Sequence, residues 1–308
     1  MAEKPYIGVI GAGLMGHGIA QVFAAHGHEV TVYDPNEASL GTLRERIQTN
    51  LRDLGQPESA AERVSACRTL PETVRNSQFI VEAALEDLAL KQQIFADIEQ
   101  AAPAHAILAS NTSVIPITAI MQGLRDRTRA LGTHWWNPPF LVPLVEVTGT
   151  QWTSADAVAR TIALHEAVGK TAVHVKRDVP GFVGNRLQHA LWREAISLVE
   201  NGICDAETVD TVIKASFGRR LAVLGPLENA DLVGTDLTLA IHRTVLPDLD
   251  RRAGPSPYLE TLVSTGKLGM KSGEGFRQWT PRQQAVLRSR VLQHLKAALA
   301  NAETGSQT

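Results

Sequence analysis

Six residues near the start of the chain have the spacing of a dinucleotide-binding loop. The run Gly11-Ala-Gly-Leu-Met-Gly16 matches the pattern G-x-G-x-x-G, follows the apolar run Tyr6–Ile10 and precedes an amphipathic segment. The first glycine can form a tight turn, the second lets the backbone approach a pyrophosphate, and the third permits close packing of helix against strand. The free N–H groups at the helix start would face the phosphates. The spacing therefore predicts cofactor contacts at Gly11, Gly13, Leu14, Met15 and Gly16.

An acidic residue stands where the ribose of such a cofactor would lie. Asp34 ends the next β-branched run, about twenty residues after the glycines, where a carboxylate accepts hydrogen bonds from ribose hydroxyls. The residues that follow it are Pro35, Asn36 and Glu37, so no arginine stands directly after Asp34 to bind a 2′-phosphate. Asp34 therefore predicts NAD. The alternative is that Asp34 only caps and turns the chain.

Four polar motifs follow later in the chain, and several of their side chains could hold or move a proton. They are Ser110-Asn-Thr-Ser113, Thr133-His-Trp-Trp-Asn-Pro138, Pro143-Leu-Val-Glu-Val147 and Val179-Pro-Gly-Phe-Val-Gly-Asn-Arg186. Together with Lys271-Ser-Gly-Glu-Gly-Phe276, they resemble the L-3-hydroxyacyl-CoA dehydrogenase family in order and in near spacing. The resemblance implies an enzyme of fatty acid metabolism that interconverts a 3-hydroxy and a 3-keto group, on a 3-hydroxyacyl-CoA or a small 3-hydroxy acid, with NAD.

The resemblance also implies the catalytic residues. His134 would be the general base, because a neutral imidazole can take the proton of a secondary alcohol and return it in the reverse direction. Glu146 would orient the imidazole, since an acid within the apolar run Leu141–Val147 is costly to bury without a partner. Ser113 and Asn185 would hydrogen-bond the reacting oxygen. Their alternative roles are helix caps, which could coexist with catalysis.

Further contacts with the cofactor are implied in the middle of the chain. Ala83, Glu86 and Lys91 fall where the family touches the nicotinamide half of the cofactor. Solvated helix charges are the alternative for Glu86 and Lys91. Asn111 and Asn137 complete the expected cofactor contacts, and Asn137 would also hold the histidine loop.

The segment Thr42–Asn76 departs from the acyl-CoA members of the family. Those members carry a lysine-rich helical hairpin there that helps to hold the CoA phosphates, whereas this segment contains no lysine and only scattered arginines. Coenzyme A is highly charged, so this composition counts against a thioester. Three local features look instead like the CoA-independent branch that contains L-gulonate 3-dehydrogenase, carnitine dehydrogenase and a pyridine-carboxylate dehydrogenase. These features are Asn137-Pro-Pro139, Leu187-Gln188 and Gly218–Glu228.

Three side chains are candidate substrate contacts. Arg220 could form a bidentate pair with a substrate carboxylate. Trp135 and Trp136 could narrow the pocket or stack on an aromatic substrate, and the alternative is that one belongs to the core while the other supports the loop. Two other functions stay open: an imine or aryl-ketone reductase on the same scaffold, and a non-catalytic, crystallin-like NAD-binding protein. The complete catalytic set counts against the second.

The elements that must position these residues alternate between strands and helices as far as Val175. This pattern predicts an α/β fold, a doubly wound Rossmann-type sheet domain over residues 1–178, followed by an all-helical dimerisation and substrate domain over 179–308. The predicted strands are Tyr6–Ile10, Glu29–Asp34, Phe79–Glu82, Ile107–Ser110, Ala130–His134, Val142–Val147 and Thr171–Val175. The predicted helices are Met15–His26, Asn36–Leu54, Leu88–Ala102, Ser154–Val168, Arg186–Glu200, Ala206–Ser216 and Pro281–Ala300.

The overall composition is typical of a globular enzyme. Hydrophobic residues make up 44%, charged residues 20%, and the net charge is -2. Without a basic excess, nucleic acid and anionic membranes are poor partners, so we expect a small-molecule substrate. The two cysteines, Cys67 and Cys204, form no CxxC pattern, which predicts neither a disulfide framework nor a metal site. We expect a cytoplasmic protein without a membrane span, and the resemblance implies a homodimer.

Overall fold

The computed structural model describes residues 4–305, and the side chains of residues 4–301. It divides the chain into two compact units. Of the described residues, the first unit comprises those up to Arg186 together with those from Gln293 onward, and the second comprises Leu187–Leu292.

The first unit is built on one sheet of eight strands. The strands are β1 Ile7–Ile10, β2 Val30–Tyr33, β3 Val64–Ala66, β4 Phe79–Glu82, β5 Ile107–Ser110, β6 Ala130–Trp135, β7 Leu144–Thr148 and β8 Thr171–Val175. Their order is β3-β2-β1-β4-β5-β6-β7-β8, and every neighbouring pair is parallel except the antiparallel pair β6 and β7. The predicted doubly wound Rossmann-type fold is confirmed. The edge strand β3 was not predicted.

Helices cover both faces of this sheet. They are α1 Leu14–Ala25, α2 Glu37–Gly41, α3 Leu43–Asp53, α4 Leu70–Val74, α5 Leu88–Ala101, α6 Ile117–Met121 and α7 Ala155–Ala167. Successive strand residues enter different cores, because side chains alternate across a strand: Val9 packs in one core with Phe23 of α1, and Ile10 in the other with Phe95 of α5. The predicted single helix Asn36–Leu54 is wrong, since the chain breaks at Thr42 between α2 and α3.

The second unit is helical. It contains the greater part of α8 Gly184–Glu200, then α9 Ala206–Ala215, α10 Pro226–Val233, α11 Thr235–Val245, α12 Pro257–Ser264 and the start of α13 Pro281–Gly305. Within Leu187–Leu292, which is described throughout, Leu262 is the only buried hydrophobic side chain, while many large apolar side chains are exposed. A folded unit normally buries more apolar surface than this. Over the described part of the chain, no helix has the length and apolar character needed to span a membrane.

Candidate active site

His134 and Glu146 face each other on neighbouring strands. They are directly paired in the antiparallel register of β6 and β7, and His134 Nδ1 lies 2.8 Å from Glu146 Oε2. Both side chains are buried, with exposed fractions of 4% and 1%. A carboxylate beside Nδ1 holds the imidazole proton on that nitrogen, which leaves Nε2 as the acceptor. Within residues 4–301, Nε2 makes no hydrogen bond, so it is available to take a proton.

The other carboxylate oxygen of Glu146 is bound by backbone at the start of α8. Glu146 Oε1 accepts hydrogen bonds from the N–H groups of Val183 at 2.9 Å and Gly184 at 3.0 Å. Burial raises the pKa of Glu146, but the hydrogen bonds from His134, Gly184 and Val183 lower it by more, so its pKa lies below the ordinary value. Glu146 is therefore an ionised carboxylate whose oxygens both have hydrogen-bond partners, as a buried charge requires.

The turn that supplies these N–H groups also contacts the imidazole. Phe182 has a φ of 50°, a left-handed conformation that is uncommon for a bulky residue and is found mostly where surrounding structure enforces it. Its ring centroid lies 5.6 Å from that of His134, and the ring of Trp136 lies 5.3 Å from the same imidazole. Trp136 packs over Gly184, where an added Cβ would come within 2.4 Å of the indole. The imidazole is thus fixed by two aromatic rings as well as by Glu146.

Ser113 and Asn185, predicted to bind the reacting oxygen, lie close together. The Asn185 side-chain amide donates to the Ser113 carbonyl oxygen at 2.9 Å, and Ser113 is exposed. Neither residue is a helix cap: α6 begins after Pro116, and Asn185 lies inside the first turn of α8. Asp178 provides a second link between the chain after Ser113 and the chain before α8. Its carboxylate accepts from the N–H groups of Ile117 and Thr118 at 3.0 and 2.6 Å.

Lys91 is not a solvated helix charge. Its side chain is 1% exposed, and its ammonium lies 2.7 Å from Glu82 and 3.5 Å from Glu86. Glu82, which was not predicted, is fully buried at the end of β4 and also accepts from the Ser110 hydroxyl at 2.7 Å. Its signal was present in the sequence, since it is an acid within an apolar run, as Glu146 is.

Glu86 organises the segment that contains Ser113. Its Oε1 accepts hydrogen bonds from the Thr112 hydroxyl at 2.6 Å and from the N–H groups of Ser113 and Val114 at 3.0 and 3.1 Å. Burial raises the pKa of Glu86, but the Thr112 hydrogen bond, the nearby Lys91 charge and the two N–H groups lower it by more, to below its ordinary value. Glu86 is therefore ionised and ties this segment to the start of α5.

The glycine loop has the shape that a dinucleotide requires. Gly11 has a φ of 108°, and an added Cβ there would lie 2.5 Å from the Ala83 carbonyl oxygen; one on Gly16 would lie 1.8 Å from the Gly11 carbonyl oxygen. At Gly13, by contrast, an added Cβ meets nothing within 4 Å. The loop is therefore closed where helix and strand pack and open where a pyrophosphate must approach, which fits the predicted cofactor.

Asp34 and an unpredicted arginine support this loop. Asp34 Oδ2 accepts from the Ala12 N–H at 2.7 Å. Arg46 of α3 donates to the carbonyl oxygens of Ala12 and Ser39 at 2.8 and 2.7 Å, and its charge interacts with Asp34. Nothing in the local sequence marks Arg46, because only the fold brings α3 beside the loop. Of the other two predicted loop contacts, Leu14 is exposed and Met15 packs against the core.

The remaining predicted residues differ in their surroundings. Of the two alternatives for Trp135, the structure fits the core position and not the substrate contact. The side chain is 2% exposed and packs against Phe23 and His165, so it cannot form the wall of an open pocket. The Asn111 side chain accepts from the Trp135 N–H at 2.9 Å and so joins β5 to β6. The side chain of Asn137 is exposed, and Arg220 is an exposed residue of the second unit, directly after a short 3-10 turn.

The chain matches a known protein family over most of its length. Residues 6–179 match the family described as 3-hydroxyacyl-CoA dehydrogenase, NAD binding domain, and residues 181–279 match its C-terminal domain. The chain is similar to 5-formyl-3-hydroxy-2-methylpyridine 4-carboxylate 5-dehydrogenase of Mesorhizobium japonicum, at 34% identity over 94% of this chain and 96% of the relative. It is also similar to a probable 3-hydroxybutyryl-CoA dehydrogenase of Bacillus subtilis, at 38% identity over 89% and 97%.

A solved structure extends the first of these similarities. The crystal structure of the same kind of pyridine-carboxylate 5-dehydrogenase, described as an NAD+ dependent dismutase, has a TM-score of 0.89 at 32% identity. The alignment covers 96% of this chain and 97% of that one. The similarity thus extends over both compact units.

Proposed function

The chain belongs to the 3-hydroxyacyl-CoA dehydrogenase family and is an NAD-dependent oxidoreductase, and from this premise we propose that it interconverts a 3-hydroxy and a 3-keto group with His134 as the general base. The observation that carries the proposal is the pairing of His134 Nδ1 with the buried carboxylate of Glu146 at 2.8 Å. This pairing leaves Nε2 free to accept the hydroxyl proton. The ionised Glu146 would then stabilise the imidazolium.

The bound cofactor would supply the acceptor for the hydride that leaves the hydroxyl-bearing carbon. We propose that Gly11, Gly13, Gly16 and the start of α1 hold its pyrophosphate and that Asp34 holds a ribose. Gly13 supports this assignment, because the space where its Cβ would stand is open.

We propose that Ser113 contacts the reacting oxygen through its exposed hydroxyl. Asn185 supports this assignment indirectly, since its amide donates to the Ser113 carbonyl oxygen. A hydroxyl in this place would donate a hydrogen bond to the oxygen as negative charge develops there. Asn185 would fix the Ser113 backbone and has a second N–H with which to reach the same oxygen.

We propose that the substrate is a small 3-hydroxy acid rather than a CoA thioester. Three arginines of the segment Thr42–Asn76 are already engaged within the protein. Arg46 binds Ala12 and Ser39, Arg52 pairs with Glu58, and Arg44 donates to a backbone carbonyl. With no lysine in the segment, Arg63, Arg68 and Arg75 are the remaining cations that could hold CoA phosphates. Arg220 is the proposed partner of the substrate carboxylate.

We further propose a cytoplasmic homodimer. The apolar side chains exposed on the second unit are the surface that a second copy would bury, since large exposed apolar patches mark interfaces. Both cysteines, Cys67 and Cys204, are free thiols, as is usual in a reducing compartment. Light scattering at micromolar concentration tests this proposal, and a monomer mass would contradict it.

The test of the function is a substrate panel. Free 3-hydroxy acids and matched 3-hydroxyacyl-CoA esters are incubated with NAD, and NADH formation is followed by absorbance. We expect turnover of at least one free acid and a lower kcat/KM for its CoA ester. Preference for the ester would reject the substrate class, and no turnover of either would reject the function.

A further inference from the structure

A lysine outside all the catalytic motifs binds the connection between β6 and β7, which comprises Trp136–Pro143. Lys170 is buried directly before β8, and its ammonium donates to the carbonyl oxygens of Pro139 and Val142, the second at 3.1 Å. The ammonium also lies 5.1 Å from the centroid of the Trp135 ring, within the range of a cation–π interaction. This connection joins the strand of His134 to the strand of Glu146.

The connection needs a donor from outside itself. Three of its residues, Pro138, Pro139 and Pro143, have no backbone N–H. Its internal hydrogen bonds run from the N–H groups of Leu141 and Val142 to a single acceptor, the Pro138 carbonyl oxygen. Carbonyl groups left unpaired inside a protein cost free energy, and an ammonium has three hydrogens to donate. Lys170 therefore satisfies carbonyls that the connection itself cannot.

The same connection packs on the helix that follows the glycine loop. An added Cβ on Gly18 of α1 would lie 3.0 Å from the Pro139 ring and 3.3 Å from the Phe140 ring. The connection thus touches α1 on one side and is bound by Lys170 on another. The connection begins two residues after His134, at the end of β6, so its position and that of His134 are linked through the chain.

We propose that Lys170 is a positioning residue for the reaction, because its ammonium fixes the connection Trp136–Pro143 and with it the placement of the His134 imidazole. The effect on turnover rests on the proposed function, whereas the effect on the connection does not.

Lys170 has the charge for this role at neutral pH. Burial lowers the pKa of Lys170 to about 8, so the ammonium form is the major one at pH 7. The titratable side chain that faces it is His165 of α7; burial lowers the pKa of His165 to about 4, so His165 is uncharged there and does not repel the ammonium. The Lys170 charge acts on backbone carbonyls and on the Trp135 ring, and charge-assisted hydrogen bonds of this kind are among the stronger ones.

The test compares Lys170→Met with Lys214→Met, which removes an exposed lysine of α9, in the full-length protein. Amide hydrogen exchange is measured at Leu141 and Val142, and at amides of β4 and β5 as internal references. We expect exchange at the two connection amides to become about tenfold faster or more in Lys170→Met, with the reference amides and the Lys214→Met protein unchanged. We also expect kcat to fall about tenfold or more, while KM for NAD changes less than about threefold.

Unchanged protection at Leu141 and Val142, or equally faster exchange at every amide, would overturn the proposal. Faster exchange in the connection with an unaltered kcat would overturn the link to His134. If Lys170→Met does not fold, Lys170→Gln is judged by the same criteria. A wild-type protein that oxidises no hydroxy acid would refute the proposed function, and the exchange measurement would still decide whether Lys170 holds the connection.

Discussion

Nδ1 of His134 lies 2.8 Å from Oε2 of Glu146, and the two residues are cross-strand partners in register on β6 and β7. The sheet register therefore brings the two side chains together. Its second carboxylate oxygen is bound by the N–H groups of Val183 and Gly184, so one acidic side chain connects the imidazole to the start of α8. This arrangement is pre-formed in a buried site, as efficient proton transfer requires.

The first prediction concerns the charge of Glu146. The amide of Glu146→Gln has a single oxygen, so it cannot place one acceptor beside His134 and another beside the two backbone N–H groups. The variant also removes the counter-ion of the imidazolium. We expect kcat to fall on the order of 100-fold or more. Steady-state kinetics measures this, with Glu86→Gln, whose carboxylate binds the Ser113 segment, for comparison. A kcat within about threefold of wild type would show that Glu146 is not needed for proton transfer.

The second prediction separates cofactor binding from folding within one loop. Gly13→Ala places a methyl group in open space, so we expect wild-type stability and a KM for NAD raised about tenfold or more. Gly16→Ala places the methyl group 1.8 Å from the Gly11 carbonyl oxygen, so we expect this variant to have a lower free energy of unfolding. Urea unfolding and NAD titration together check both variants. Equal effects of the two substitutions on NAD binding and on stability would refute this assignment.

The third prediction concerns the buried pair of Glu82 and Lys91. Lys91→Met would leave the buried carboxyl of Glu82 without its cationic partner, which should lower the free energy of unfolding by about 3–5 kcal/mol. The double variant Glu82→Gln with Lys91→Met removes both charges and should recover most of that loss. Urea denaturation of the three proteins measures the effect. A single variant as stable as wild type would show that the buried pair makes no net contribution to stability.

The fourth prediction is a loss of stability in mild acid. The imidazole of His165 is fully buried, and burial lowers its pKa from 6.5 to about 4. Between these two values the unfolded chain binds more protons than the folded protein, so stability falls as the pH falls. The difference of about 2.5 units corresponds to about 3 kcal/mol for this residue.

A His165→Met variant provides the control for that prediction. It has no imidazole to titrate, so its stability should depend less steeply on pH between 6.5 and 4 than that of wild type. Urea midpoints at pH 7.0 and 4.5 measure the two slopes. Identical slopes would show that His165 titrates normally in the folded state. His17 and His28, whose pKa values burial also lowers, contribute to both proteins alike.

The sheet could be predicted because each long strand is apolar and is followed by turn residues. Strand β3 could not be predicted because it has only three residues, of which Val64 alone is buried, so it shows no periodic pattern. The break between α2 and α3 at Thr42 could not be predicted either, since the helical spacing of apolar residues continues across it. Edge strands and short breaks depend on tertiary packing more than on local preference.

The site could be predicted in part for the same reasons. His134 and Glu146 have clear signals, since a polar residue in an apolar strand needs a partner. The core position of Trp135 follows from strand alternation, because it is adjacent to His134 in sequence and must point to the opposite face of β6. Arg46 and Lys170 had no signal, because the carbonyl groups of Ala12, Pro139 and Val142 that they bind lie far away in the sequence.

The proposed role of the His134 imidazole as the base is tested by the activity of His134→Ala with a free 3-hydroxy acid and NAD. We predict that kcat for alcohol oxidation falls about 1,000-fold or more, while NAD still binds with an affinity close to that of wild type. A kcat within about tenfold of wild type, with NAD bound normally, would contradict the claim that the His134 imidazole is the base.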